Sequence, residues 1–303
     1  MAVYFMYMKT FGRANGSSAV SAIAYRAGER IRDERSGRIY DHSDREGVLH
    51  KEIVLPAKFA DSDLGWAKDR ATLWNAAEAS EPRKNARVAR EFLVALPAEM
   101  TATQRLGLAQ SFAHELADRY GFAIDVALHA PRTDPRNHHA HLLATTREIG
   151  IDGFGAKTSL EMNDAARRAR GLEPFFREVI AMRERWASAT NEALAAAGIP
   201  MRVDHRSLEA QGIDREPQAK LPRAVWEIER RGERSVVGER IRAEQQARAA
   251  ARDAGQETQA PEPPSLEEVR RRAREAWLEL RRDGAATPSA AAPTHKLDDD
   301  LGR

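Results

Sequence analysis

The chain has 303 residues, 42% of them hydrophobic and 31% charged, which supports one sizeable core plus appendages beneath a strongly ionic surface. It has no cysteine, so disulfides and thiolate metal sites are excluded and any metal must be held by His, Asp or Glu. The formal net charge is only +2, but residues 1–40 hold seven basic residues (Lys9, Arg13, Arg26, Arg30, Arg32, Arg35, Arg38) against three acids, a local excess suited to phosphate contacts.

The opening MAVYFMYM is apolar but short, without a basic leader or a small-residue cleavage site, and reads as a buried strand over residues 2–9 rather than a signal peptide. Gly12, Asn15 and Gly16 break the chain, and Ser17 or Ser18 caps a helix through AVSAIAYRAGERI, where Val20, Ile23, Ala24 and Ala27 recur at helical spacing. KEIVLP (51–56) reads as a strand ended by proline, 64–80 as a helix carrying Trp66 and Trp74, and EFLVALP (91–97) as a second proline-ended strand. A helix from Thr103 to about Tyr120 places Leu106, Ala109, Ala113 and Leu116 on one face.

FAIDVALH (122–129) then reads as a strand, and the polar turn APRTDPRN leads to an antiparallel partner over 138–147. Residues 159–197 are helical in pattern and close at Gly198 and Pro200, and 201–245 are charged and less regular. APEPPS (260–265) marks a linker, after which Ser265 and Glu268 form a capping box for a helix with the stripe Leu266, Val269, Ala273, Ala276, Trp277 and Leu280. No apolar stretch approaches the roughly 18 residues needed to span a bilayer, so a soluble, cytoplasmic protein with no membrane contact is expected. Short strands interleaved with helices and at least one hairpin point to an α+β fold: a two-layer domain with a central antiparallel sheet packed by helices, and a helical C-terminal extension.

The segment HAPRTDPRNHHAH (129–141) carries the chemistry. On a strand, His139 and His141 point to one face, and the hairpin brings His129 alongside them, whereas His138 points the other way. Three neutral imidazoles form a metal site that leaves coordination positions open. Tyr25 offers a phenol that needs activation to act as a nucleophile near pH 7, which a metal polarising a phosphate supplies. His42, His50, His114 and His295 are isolated and carry no such expectation.

SSAVSAIAYRAGER, HAPRTDPRNHHAHLLATTR and RVDHRSLEAQGIDREP, in that order over about residues 1–235, together resemble the MobA/MobL family of plasmid mobilization relaxases, nickases with a histidine–hydrophobic–histidine pair. The resemblance implies an antiparallel sheet bearing the histidines with the tyrosine helix packed across it. It also implies cleavage of one strand at an origin of transfer through a 5′-phosphotyrosine link, with Tyr25 as nucleophile and His129, His139 and His141 binding a divalent metal, Mg²⁺ or Mn²⁺. Glu91 stands where the family has an acid and is expected either to accept the Tyr25 proton or to orient a metal-bound histidine. Arg26, Arg30, Arg147, Arg202 and Arg206 are candidate phosphate contacts by charge and position, and His205 is a further candidate DNA contact.

The expected organisation is a nicking–joining domain over 1–235, a charged and proline-rich linker over 236–264, an amphipathic helix over 265–283 that could dock a partner, and a disordered tail over 284–303. The expected partners are single-stranded or supercoiled origin DNA, accessory mobilization proteins and a coupling protein. The alternatives are a rolling-circle replication initiator or transposase-type nickase, a three-histidine hydrolase using metal-bound water, and a non-catalytic DNA-binding protein.

Overall fold

A computed structural model describes residues 4–131, 134–217, 219–255 and 261–283. The chain divides into two units, Met1–His205 and Arg206–Arg303. In the first unit, β1 (Met6–Gly12) leads into α1 (Ala19–Ala27), whose N-terminus is capped by the Ser18 side chain accepting from the Ser21 amide. A small hairpin, β2 (Arg30–Arg32) and β3 (Ile39–Asp41), precedes β4 (Val48–Val54). The helix expected over 64–80 is two helices, α2 (Gly65–Lys68) and α3 (Arg70–Ala79). Asp69 separates them because it is extended and caps α3 by accepting from the Thr72 amide.

β5 (Arg87–Ala95) is followed by α4 (Ala102–Tyr120), which starts at a Thr101–Gln104 capping box just ahead of the expected Thr103. β6 (Ile124–His129) and β7 (His139–Thr145) form the expected histidine hairpin. The first unit continues through the hairpin β8 (Arg147–Gly150) and β9 (Gly153–Lys157), then α5 (Asp164–Ala169) and α6 (Phe175–Ala196).

Among the described residues, β1, β5, β7, β6 and β4 make a five-stranded sheet in that order, with every neighbouring pair antiparallel. Alternation divides its side chains into two sets. Phe92, Val94, Val126, Leu128, Ala140 and Leu142 face a core completed by Leu108, Phe112 and Leu116 of α4 and by Trp186 of α6. The other set contains Lys9, Glu91, Asp125, Ala127, His129, His139 and His141, and this face meets α1 and α3. The expected α+β architecture, a central antiparallel sheet packed by helices, is therefore present, with α4 and α6 on one face of the sheet and α1 and α3 on the other.

Buried charge joins the helices to the site-bearing face. Asp125 is fully buried on β6 and accepts from both Nε (2.7 Å) and Nη2 (3.0 Å) of Arg70 and from the Trp74 indole (3.0 Å). Arg70 also donates to Glu29 (2.5 Å), just beyond α1, and Lys51 of β4 bonds both Glu29 (2.9 Å) and the Ala27 carbonyl (3.0 Å). One network thus holds α3, the end of α1 and two strands together.

In the second unit, α7 (Arg223–Arg230), α8 (Val236–Asp253) and α9 (Leu266–Asp283) share a small core of Ala224, Val225, Val237, Ile241 and Ala276. Residues 236–253, expected as linker, are helix because Val237 and Ile241, one turn apart, find apolar partners on α7 and α9. Glu279 of α9 accepts from the Ser235 hydroxyl (2.9 Å) and the Val236 amide (2.6 Å), so α9 caps α8 rather than standing alone. The expected tail over 284–303 lies outside the described residues. Among those described, no helix is long and apolar enough to cross a membrane.

Removing the Asp125 carboxylate leaves Arg70 poorly compensated in a buried setting. Asp125→Ala is expected to lower unfolding free energy by about 3–5 kcal/mol in denaturant titrations. An unchanged midpoint would show that this network does not hold the helices.

Candidate active site

The register of β6 and β7 places His129 directly opposite His139, and Ala127 opposite His141. The three imidazoles share one face, with ring centroids 4.6–5.4 Å apart, and one nitrogen from each lies within 4.8 Å of the other two. All three residues are buried.

Each ring has one nitrogen against an oxygen acceptor. His129 Nε2 donates to the Arg26 carbonyl (2.8 Å), His139 Nδ1 to the Asn137 carbonyl (2.9 Å) and His141 Nδ1 to Glu91 Oε1 (2.7 Å). These acceptors fix the tautomers, leaving lone pairs on Nδ1 of His129 and on Nε2 of His139 and His141. Burial, with the neighbouring His141, pushes the His129 pKa down to about 2. Burial also takes His141 down to about 4, although Glu91 opposes the shift. The two rings are therefore neutral ligands near pH 7. Three neutral nitrogens, each oriented by an outer acceptor, fit a divalent metal ion.

Glu91 faces this cluster from β5 and is fully buried. Burial alone would raise its pKa, but the guanidinium of Arg26 and the imidazole of His141 hold it well below the usual carboxylate range. The Arg26 Nε donates to Glu91 Oε1, and Lys9, directly across the β1–β5 ladder, lies 3.2 Å from Oε2. Arg26 is not the exposed phosphate contact expected of it. Its side chain is 1% exposed, packs over Phe11 and also donates to the Ala22 carbonyl (2.7 Å). The cause is that α1 is buried along most of its length, so the arginine on it turns inward to a carboxylate.

Tyr25 precedes Arg26 on α1 and is half-buried. Its ring meets His42 edge-on (5.2 Å between centroids), and the Arg45 guanidinium lies over its face, 3.8 Å from the centroid. Arg45 Nη2 also reaches His129 Nδ1 (3.4 Å). Tyr25 is thus joined to the histidines by the Arg26 backbone and through Arg45. No sequence signal marks Arg45, which comes from a turn outside every motif, whereas Lys9 is legible by strand alternation with Phe11.

The other candidates have partners outside this cluster. Arg30 is exposed and ion-paired to Asp41 (3.2 Å). Arg147 bonds Glu81 (2.8 Å) and the Gly155 carbonyl (3.0 Å) beyond the far end of β7 from His139. Arg202 donates to the nearby Met201 carbonyl (2.7 Å). His205 sits by Asp204 (3.9 Å) and edge-on to Tyr4. Arg206 belongs to the second unit and donates to the Ala210 carbonyl (3.2 Å). His138 is not part of the three-histidine cluster and lines a cavity with Leu96, Arg105, Leu106 and His129. Asp134 shapes the turn by accepting from the amides of Arg136 and Asn137.

A tyrosine helix against a sheet bearing three histidines is the arrangement that the sequence resemblance implied. The chain belongs to the MobA/MobL family, whose model matches residues 17–231. It is 40% identical over 260 residues to mobilization protein MobL of Acidithiobacillus ferridurans, covering 78% of this chain and 66% of the relative. It is 33% identical over 272 residues to a probable conjugal transfer protein TraA of Sinorhizobium fredii, covering 82% of this chain and 24% of the relative. The chain therefore spans only part of either relative's length. A solved structure described as the molecular basis of vancomycin resistance transfer in Staphylococcus aureus is 29% identical, with a TM-score of 0.55, and covers 68% of this chain and all of that one.

The lowered pKa values of His129 and His141 keep both rings neutral until the pH falls towards about 2 and about 4. Divalent-ion affinity should therefore fall far less between about pH 7.5 and about pH 5.5 than the roughly thousandfold expected for three ordinary imidazoles. A thousandfold loss in calorimetric titrations over that window would refute this. Glu91→Gln is expected to weaken the same binding about tenfold or more, because His141 loses its charged acceptor. Unchanged affinity would show that Glu91 does not orient that ring.

Proposed function

We propose that the chain nicks and rejoins one DNA strand at an origin of transfer, with Tyr25 as nucleophile and His129, His139 and His141 holding a divalent ion, Mg²⁺ or Mn²⁺. The observation that carries this reading is the link between Tyr25 and the three buried imidazoles, made by the Arg45 guanidinium and the Arg26 carbonyl. Family membership and the names of the mobilization and conjugal transfer relatives support the same reaction.

The Tyr25 oxygen attacks the scissile phosphorus, forming an O–P bond as the P–O3′ bond breaks. The electron pair goes to O3′, which takes a proton and leaves as a 3′-hydroxyl. The phenolic proton is lost to solvent, and the 5′-phosphate stays on Tyr25. No phosphodiester energy is lost to water, so the 3′-hydroxyl can reverse the step and reseal the strand. A bound divalent ion would draw charge from a non-bridging phosphate oxygen.

Glu91 fits a positioning role better than that of a base. Its carboxylate is held by Arg26, Lys9 and His141, and its low pKa makes it a weak proton acceptor. Arg30, Arg202, His205 and Arg206 remain candidate DNA contacts, and Arg147 is better explained as a brace between strands. Accessory mobilization proteins and a coupling protein are the expected partners.

The test uses a supercoiled plasmid carrying the transfer origin of the element that encodes the protein. With Mg²⁺ or Mn²⁺, wild type should give nicked circles with protein attached at one mapped 5′ end. Tyr25→Phe should give no adduct, and His139→Ala should lose nicking by two or more orders of magnitude, of the order seen when a group stabilising the transition state is removed. An equal yield of adduct from Tyr25→Phe would refute the nucleophile. Nicking without any adduct would favour attack by water, and a cut at a replication origin would favour a rolling-circle initiator.

A further inference from the structure

Arg45 lies outside every motif and outside the metal-ligand set, yet it touches both reactive components. Its guanidinium covers the Tyr25 ring and reaches the ligand nitrogen of His129. Resting on the nicking reading above, we propose that Arg45 is a catalytic residue: it fixes the plane of the nucleophilic ring and binds the non-bridging oxygens of the scissile phosphate as charge builds there.

Position is the first argument. A group in contact with the nucleophile's ring and with a metal-facing nitrogen borders the space that a phosphate must enter to meet both. Arg45 also lines an open cavity of about 390 Å³ with Ala27, Gly28, Val48, His50 and Lys51, so its side chain is reachable from solvent on that side. Arg45 gives this wall the positive charge that an approaching phosphodiester requires, whereas Lys51 beside it is already paired with Glu29.

Chemistry is the second argument. When the phenolate oxygen adds to phosphorus, a monoanionic diester becomes a five-coordinate species with one more negative charge on its equatorial oxygens. A planar guanidinium presents paired donors to two such oxygens and keeps its charge at any working pH. Stacking on the ring face adds cation–π attraction and restricts rotation of the tyrosine, which favours in-line attack.

The fold also holds Arg45 in place. The Arg45 amide donates to the His42 carbonyl (3.0 Å), and the His42 amide to the Glu29 carbonyl (3.2 Å), tying this turn to the end of α1. Gly28 permits the approach. Its φ is +59°, and a Cβ there would lie 3.3 Å from the Val48 side chain and 3.6 Å from the carbonyls of Arg45 and His42.

The test is single-turnover cleavage of a fluorescent single-stranded oligonucleotide spanning the nick mapped with wild type, alongside DNA binding by anisotropy and thermal melting. Arg45→Ala and Arg45→Gln should each cleave about 100-fold more slowly, the usual effect of removing a donor to developing charge. DNA affinity and melting temperature should stay near wild type. Gln keeps a planar polar head without charge, so its failure separates charge from packing. Arg45→Lys should recover most of the lost rate. The proposal is overturned if either neutral variant cleaves at the wild-type rate, or if the defect lies wholly in DNA affinity and disappears at saturating oligonucleotide. Failure of wild type itself to form an adduct would instead sink the nicking reading.

Discussion

The site depends on the buried contact between Arg26 and Glu91. It joins the helix carrying the tyrosine to the central sheet, and Glu91 passes the constraint to His141 through a 2.7 Å hydrogen bond. Burying two opposite charges rarely adds stability, because desolvation cancels much of their attraction. Its value here is positional. An apolar pair at the same depth would tolerate sliding of α1 over the sheet, whereas an arginine with one buried carboxylate within reach specifies a single placement. Lys9 adds positive charge from the edge strand, so Glu91 remains an anion although fully buried.

The same contact sets the composition of α1, whose buried residues are mostly small and apolar. Ala19, Ala22, Ala24 and Ala27 are almost fully buried, which lets the α1 backbone approach β6 closely enough for the Arg26 carbonyl to meet His129. Larger residues would hold the helix away and lengthen that bond. The requirement for close approach therefore bears on the histidine face through the backbone of α1.

The histidine face was legible from the sequence because strand alternation is strict. Given one hairpin, His139 and His141 must share a side and His138 must leave it. Arg26 was misread because an arginine in a helix usually reaches solvent, and its inward turn depends on a carboxylate 65 residues later. Arg45 was invisible for the same reason: its partners are brought together only when the turn after β3 folds back on Gly28. The hairpins β2–β3 and β8–β9 escaped because their strands are short and partly charged, without clean alternation. Helix α8 was hidden by a charged, alanine-rich composition. Its buried positions, Val237 and Ile241, have meaning only beside α7 and α9.

The hydrogen bond from His129 to the Arg26 carbonyl has a thermodynamic consequence. The acceptor belongs to the residue next to Tyr25, so the ring that would grip an ion and the turn that would carry a DNA adduct share one mechanical element. Whatever factor an ion contributes to the stability of the covalent complex, the covalent complex must return to ion affinity, because binding free energies around a closed cycle are reciprocal. An ion that stabilised such a complex would in turn be bound more tightly by it.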